Sequence, residues 1–126
     1  MKARLVMSLG LALWLLAISL PIAAHHGNAA YDESKIAVLK DAKVTDFVWA
    51  NPHCLVLFDL KDDKGQVAHW TAESGSPSAL SNVGWNRNSL QAGDVITVYL
   101  HQSKLGRPVG RFTKVVLADG TVLNGG

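Results

Sequence analysis

The spacing of apolar and polar positions changes twice along the chain. Leu5 to Ile18 is an apolar run broken only by Ser8 and Gly10. Residues 25–35 (HHGNAAYDESK) are polar and without period, an extended N-terminal segment. From Ile36 onward, short runs rich in Val, Leu, Phe and Trp alternate with turn-forming clusters, the pattern of strands. Ile36 to Trp49 is the first; it is long for one strand, which predicts a bulge or bend near Asp41-Ala42. Asn51-Pro52 ends it. His53 to Leu60 is apolar on both faces and is expected to be a central, covered strand. Asp62-Asp63-Lys64-Gly65 reads as a hairpin turn, with Gly65 free to take positive φ. In Gln66 to Glu73, alternation sets Ala68, Trp70 and Ala72 on the inward face, opposite Val67, His69, Thr71 and Glu73.

Ser74-Gly75-Ser76-Pro77 interrupts the strands. Ser76 is a suitable helix cap and Pro77 suits a first turn, so a short helix is expected from Pro77 to Asn82, stopping near Gly84. A connection anchored by Leu90 leads to a fourth strand, Asp94 to Gln102, and a fifth, Arg111 to Leu117. Asp119-Gly120 is a last tight turn before Thr121-Val122-Leu123. The order β-β-β-α-β-β predicts a mainly β fold: a small five-stranded OB-like barrel with one short helix between strands 3 and 4. Leu57, Trp70, Ile96 and Val98 are expected in its core.

The first 24 residues are assigned to a separate role. Lys2 and Arg4 precede the apolar run, and Pro21 precedes Ile22-Ala23-Ala24, with small Ala24 at the cleavage position. These are the parts of a secretory signal peptide. An uncleaved anchor is the competing reading, because the run approaches spanning length. The chain is therefore divided into a signal peptide (1–24), an extended N-terminal segment (25–35) and a barrel domain (36–126). The mature protein is expected to be periplasmic or secreted, with no stable membrane span after cleavage.

Cleavage also changes the charge. It removes Lys2 and Arg4 from twelve basic residues and none of the ten acidic ones, leaving a net charge of zero with histidine neutral. A neutral domain lacks the electrostatic footprint of a phosphate-backbone binder, so nucleic acid is not an expected partner. A single cysteine, Cys54, excludes an intrachain disulfide; the fold must rest on packing.

Several spaced residues occur together in order. They are His25-His26-Gly27, Tyr31-Asp32, Trp49-x-Asn51-Pro52-His53, Trp70-x-x-Glu73 and Ser76-Pro77-x-x-Leu80. Gly84-Trp85-x-Arg87, Leu90-x-x-Gly93-Asp94 and Leu117-x-Asp119-Gly120 follow. As a set they resemble a family of exported bacterial proteins of unknown function, which carries a histidine pair after the signal and an Asn-Pro-His motif. The resemblance spans nearly the whole mature chain and implies export and this fold class, but no activity. Cys54 departs from it, standing where a small or apolar residue is expected.

Candidate chemistry centres on the new N-terminus. Cleavage after Ala24 makes His25 the first residue and His26 the second. An α-amine has a pKa well below that of lysine, so it competes as a ligand near neutral pH. With its own imidazole it forms a chelate, and a further imidazole from His26 or His53 gives a nitrogen-rich set suited to Cu(II). The set resembles a histidine brace in ligand type only. The competing reading is a solvated terminus, with His53 packed at the barrel rim and bonded to a backbone carbonyl. His69 and Glu73, four apart on one strand face, are expected to be solvated or paired across strands. His101, near a strand end, carries the weakest signal. Cys54 faces away from His53 in a regular strand and reads as an inert buried thiol. Trp49, Trp70 and Trp85 are more readily core residues than a stacking groove.

No Gly-rich phosphate loop, Gly-x-Ser-x-Gly, His-Glu-x-x-His or Cys-x-x-Cys occurs, and no enzymatic activity is expected. Two readings remain open. One is an exported protein that binds copper through His25, His26 and His53. The other is a metal-free module that binds a protein or small-molecule ligand on the barrel face.

Overall fold

In the computed structural model, residues 30–126 are described. Residues 1–24, expected to be a signal peptide, and His25 and His26 lie outside the described residues. Six strands and one short helix follow in chain order: β1 (Ala37–Val48), β2 (Leu55–Lys61), β3 (Val67–Glu73), α1 (Pro77–Ser81), β4 (Val95–Gln102), β5 (Val109–Val116) and β6 (Val122–Asn124). The fold is the expected one: mainly β, a closed five-stranded barrel with a single short helix between the third and fourth strands.

Closure depends on the length of β1. It pairs antiparallel with β2 along one edge and with β4 along the other. One strand can serve both only by turning, and β1 turns at two bulges. Between Leu39 and Ala42 it carries one residue more than β4, and Asp41 absorbs the excess at φ 58°. Between Val44 and Asp46 it carries one more than β2. Each bulge adds local twist and bends the strand. The first coincides with the bend expected at Asp41-Ala42. At the far seam β3 and β5 run parallel, with Thr71, Ala72 and Glu73 opposite Val109, Gly110 and Arg111. Gly110 permits this close approach, since a Cβ there would stand 2.6 Å from Leu100 Cδ1 and 2.9 Å from the His101 carbonyl. β6 continues the sheet from β5 through the Asp119-Gly120 turn.

The interior follows strand alternation. Cys54, Val56 and Phe58 point inward from β2 and its approach, meeting Trp70 and Ala72 of β3 and Ile96, Val98 and Leu100 of β4. Phe58 and Trp70 are register partners, and their rings stack 6.0 Å apart at 9°. Two expectations need correction. Leu57 is half-buried and faces out, because β2 is tightly packed on one face only. Ala68 is exposed, because β3 begins beyond the covered part of the barrel, close to the hairpin. That hairpin is built as expected: Asp62 Oδ1 accepts from the backbone N–H of Lys64 and Gln66, each at 2.9 Å, and Gly65 sits at φ 79°.

α1 plugs one end of the barrel. Ser76 caps it, its hydroxyl accepting from Ala79 N–H at 3.2 Å, and Pro77 occupies the first turn, where its missing N–H costs nothing. The helix ends one residue before the expected Asn82. Its Leu80 is fully buried, close to Trp85 and the Leu90 anchor in the same core. The Trp85 indole N–H donates to the Asn124 carbonyl at 2.7 Å. Trp70 and Trp85 are thus core residues; Trp49 is half-buried and packs against the same cluster.

Candidate functional site

The Asn-Pro-His corner joins β1 to β2. Asn51-Pro52 is a cis peptide, and the chain re-enters the sheet at Cys54, whose N–H donates to the Gly75 carbonyl at 2.9 Å. Ser74 N–H returns a bond to the Cys54 carbonyl at 3.1 Å, so the β2–β3 ladder runs on past Leu55 and Glu73. Alternation then sends Cys54 inward, fully buried, and leaves His53 outside and exposed. Burial pushes the Cys54 thiol pKa up, which suits an inert side chain and not a thiolate ligand.

His53 is oriented by one bond. Its Nδ1 lies 2.9 Å from the Ser74 carbonyl oxygen. A carbonyl can only accept, so Nδ1 carries a hydrogen and donates, and in the neutral ring Nε2 keeps the lone pair. This rim contact is the one expected if His53 were purely structural. It is also the way a ligating histidine is commonly held: the second ring nitrogen donates to a backbone carbonyl and fixes the tautomer.

Beside this corner lies a polar cluster that the sequence pattern did not single out. One register row crosses four strands on the outer surface: Leu55 of β2 opposite Glu73 of β3, Glu73 opposite Arg111 of β5, and Arg111 opposite His101 of β4. Residues 31–35 lie over that row. Tyr31 bridges antiparallel to Ser103, is buried, and its hydroxyl donates to Glu73 Oε1 at 2.6 Å. Arg111 Nη2 donates to both carboxylate oxygens of Glu33, at 2.6 and 2.7 Å. His101 is buried; its Nδ1 donates to the Lys35 carbonyl at 2.8 Å and, more weakly, to the Asp32 carbonyl at 3.2 Å, while Nε2 lies 3.6 Å from Glu33. Burial, with the adjacent Glu73 carboxylate as acceptor, raises the Tyr31 phenol well above its ordinary pKa.

The remaining histidine is local. His69 pairs across strands with Asp59 at 2.6 Å on an exposed face, as expected. Glu73 is not its partner; it belongs to the Tyr31 cluster. His101, read from sequence as the weakest candidate, has the most buried ring of the three described histidines and holds the turn at residues 32–35. The ordered motifs include Tyr31 and Glu73 but not their contact, because Tyr31, Glu33, Glu73, His101 and Arg111 meet only through the β3–β5 and β4–β5 registers. Among the described residues, no group of three or more His, Cys, Asp or Glu side chains is arranged to hold a metal ion. A copper site would therefore need His25 and His26 from outside them. No helix among the described residues is long and apolar enough to cross a membrane.

The chain belongs to the family of unknown function DUF6152, which it matches over residues 12–112. The family resemblance read from the ordered motifs is thus shown. No curated protein and no solved structure matches the chain.

Proposed function

We propose that the protein is exported, loses residues 1–24, and binds Cu(II) at its new N-terminus through the amine and imidazole of His25, with His26 and His53 completing the set. The observation that carries this reading is the hydrogen bond from His53 Nδ1 to the Ser74 carbonyl. It leaves Nε2 as a lone-pair donor on an exposed ring at a rigid strand entry. The neighbouring chain supports the same reading. His25 precedes Tyr31 by six residues, which span at most about 20 Å when extended. Tyr31 is bonded to Glu73, the register partner of Leu55, and His53 lies two residues before Leu55. That offset is only about 7 Å along a strand. The ligand chemistry is that of a nitrogen-rich, tetragonal site, which favours Cu(II) over other divalent ions.

The direct experiment is native mass spectrometry of protein recovered from the exported fraction, reporting both its first residue and any bound metal. The reading expects His25 as the first residue and one copper per chain. Retention of Met1, or a mature protein without copper after exposure to Cu(II), contradicts it.

A metal-free ligand-binding module is the second reading, and one feature favours it. An open groove of about 550 Å³ on the barrel surface is lined by Lys40, Lys43 and Lys61, by Asp41 and Asp59, and by Val67 and Val95. Among the described residues these three lysines form no ion pair, while Asp59 is taken by His69. Such a groove suits an organic anion with a small apolar part. Charge reversal at Lys43 and Lys61 would abolish binding of that ligand and leave copper binding unchanged.

A further inference from the structure

We propose that the open edge of β3 is a self-pairing surface. Residues Val67 to His69 of two copies of this chain pair antiparallel about a two-fold axis at Ala68, and the protein dimerises through one continuous sheet. None of these residues is a proposed copper ligand, so the inference stands or falls apart from that reading.

The backbone of β3 shows which groups are unused. Bonded and non-bonded pairs alternate along an antiparallel ladder. Asp62 N–H donates to the Gln66 carbonyl at 2.9 Å and Ser74 N–H to the Cys54 carbonyl at 3.1 Å, at the two ends of one unbroken β2–β3 register. Ala68, Trp70 and Ala72 therefore turn their N–H and C=O toward β2, while Val67, His69 and Thr71 turn theirs away. Thr71 agrees: its N–H donates to the Pro108 carbonyl at 3.1 Å, where the pairing with β5 begins. Among the described residues, the main-chain groups of Val67 and His69 meet no partner on that side. Val67, Ala68 and His69 are all exposed. Open edges are commonly blunted by proline, lysine or a bulge, and this one carries none of them. The opposite edge of the sheet, β6, is partly closed, because the Trp85 indole occupies the Asn124 carbonyl.

A second copy fits this edge because the edge is self-complementary. With the axis at Ala68, Val67 of each copy lies opposite His69 of the other. Each such pair exchanges two N–H···O=C bonds, so every free donor and acceptor is used. The ladder stops there, since Thr71 is already bonded to Pro108. Ala68 faces its own mate as a non-bonded pair, with Cα atoms about 4.5 Å apart, and a methyl group is small enough for that approach. The charges agree with this register. On the outer face Val67 is flanked by Lys61 and His69 by Asp59. Each row across the seam thus runs Lys61, Val67, His69, Asp59, the last two from the second copy, and no like charges face each other. The acidic turn Asp62-Asp63 of each copy reaches the level of the other's Pro108, in the loop that carries Lys104 and Arg107. Neither cation enters an ion pair among the described residues. The contact is small, so the dimer is reversible and concentration-dependent.

The test follows the dimer and its register separately. Sedimentation velocity of the protein from about 1 μM to about 1 mM is expected to show a monomer–dimer equilibrium. Val67→Pro removes one edge donor per copy and no bond to β2, at the first position of the strand, where proline is tolerated. It should weaken dimerisation at least about tenfold while leaving the circular dichroism spectrum unchanged. Cysteine cross-linking under oxidised glutathione reads the register. Ala68→Cys places two thiols across the axis within disulfide range and should give a covalent dimer. Gln66→Cys, about 13 Å from its mate in this register, should not. Cys54, fully buried, is common to every sample and supplies the background. The proposal is overturned by a chain that stays monomeric throughout the series, by a dimer indifferent to Val67→Pro, or by cross-linking that does not favour Ala68→Cys over Gln66→Cys. If Val67→Pro fails to fold, sedimentation of the wild-type protein and the two cysteine variants decide.

Discussion

Tyr31 donates its phenolic hydrogen to Glu73 Oε1 across 2.6 Å, joining the segment before β1 to the last residue of β3. The bond joins residues 42 positions apart, and no strand pairing requires it. It makes residues 31–35 part of the barrel surface.

The same bond predicts an alkaline signature. The Tyr31 pKa is raised in the folded protein by burial and by the adjacent Glu73 carboxylate. Above about pH 10, the unfolded chain has lost a phenolic proton that the folded chain keeps. Stability must then fall as pH rises through that range, because the folded state binds more protons. Below pH 10 the contribution is fully present. Melting temperature measured from pH 8 to pH 11 should fall more steeply for the wild-type protein than for Tyr31→Phe. Parallel curves would mean that Tyr31 ionises as freely in the folded protein as in the unfolded chain.

The barrel core gives a second prediction. Trp70 stacks on Phe58 and is 9% exposed. Trp70→Ala leaves a cavity facing Phe58 and should cost about 3–5 kcal/mol in denaturant unfolding. A loss below about 1 kcal/mol would place the ring outside the cooperative core.

Cys54 gives a third. It is fully buried, and burial raises its thiol pKa, so little thiolate forms at neutral pH. A small alkylating reagent should modify it slowly in the folded protein and quickly in denaturant. Rapid modification of the native protein would show that the strand entry beside His53 opens readily, against the rigid corner described above.

How much of this was legible in the sequence follows from the range of the forces involved. The turn at Asp62–Gly65, the Ser76 cap, the Pro77 start and the bend at Asp41-Ala42 are local, and each was readable from neighbouring residues. Leu57 was misjudged because an apolar residue on the outer face of a small barrel is half-covered by side chains from other strands, which no pattern within β2 reveals. The contacts of the Tyr31 cluster are not legible in the sequence, for a stronger reason. Glu73 and Arg111 are brought together by a parallel pairing that closes the barrel, and Tyr31 reaches them only after that closure. Conversely, the bond orienting His53 was anticipated in kind, because a histidine after a proline turn has few acceptors other than the carbonyls of the adjoining strand end.

The most direct test of the copper reading adds one residue before His25. This removes the terminal amine from the chelate and leaves every imidazole in place. Cu(II) is titrated into both forms at pH 7.4, with affinity and electronic spectrum recorded, and the titration is repeated at lower pH. The mature form is expected to bind more tightly and with a distinct spectrum, and to weaken as pH falls through about 6.5, where protons compete for imidazole and amine. Equal affinity and an identical spectrum in the extended form would exclude the amine as a ligand, and with it the proposed site.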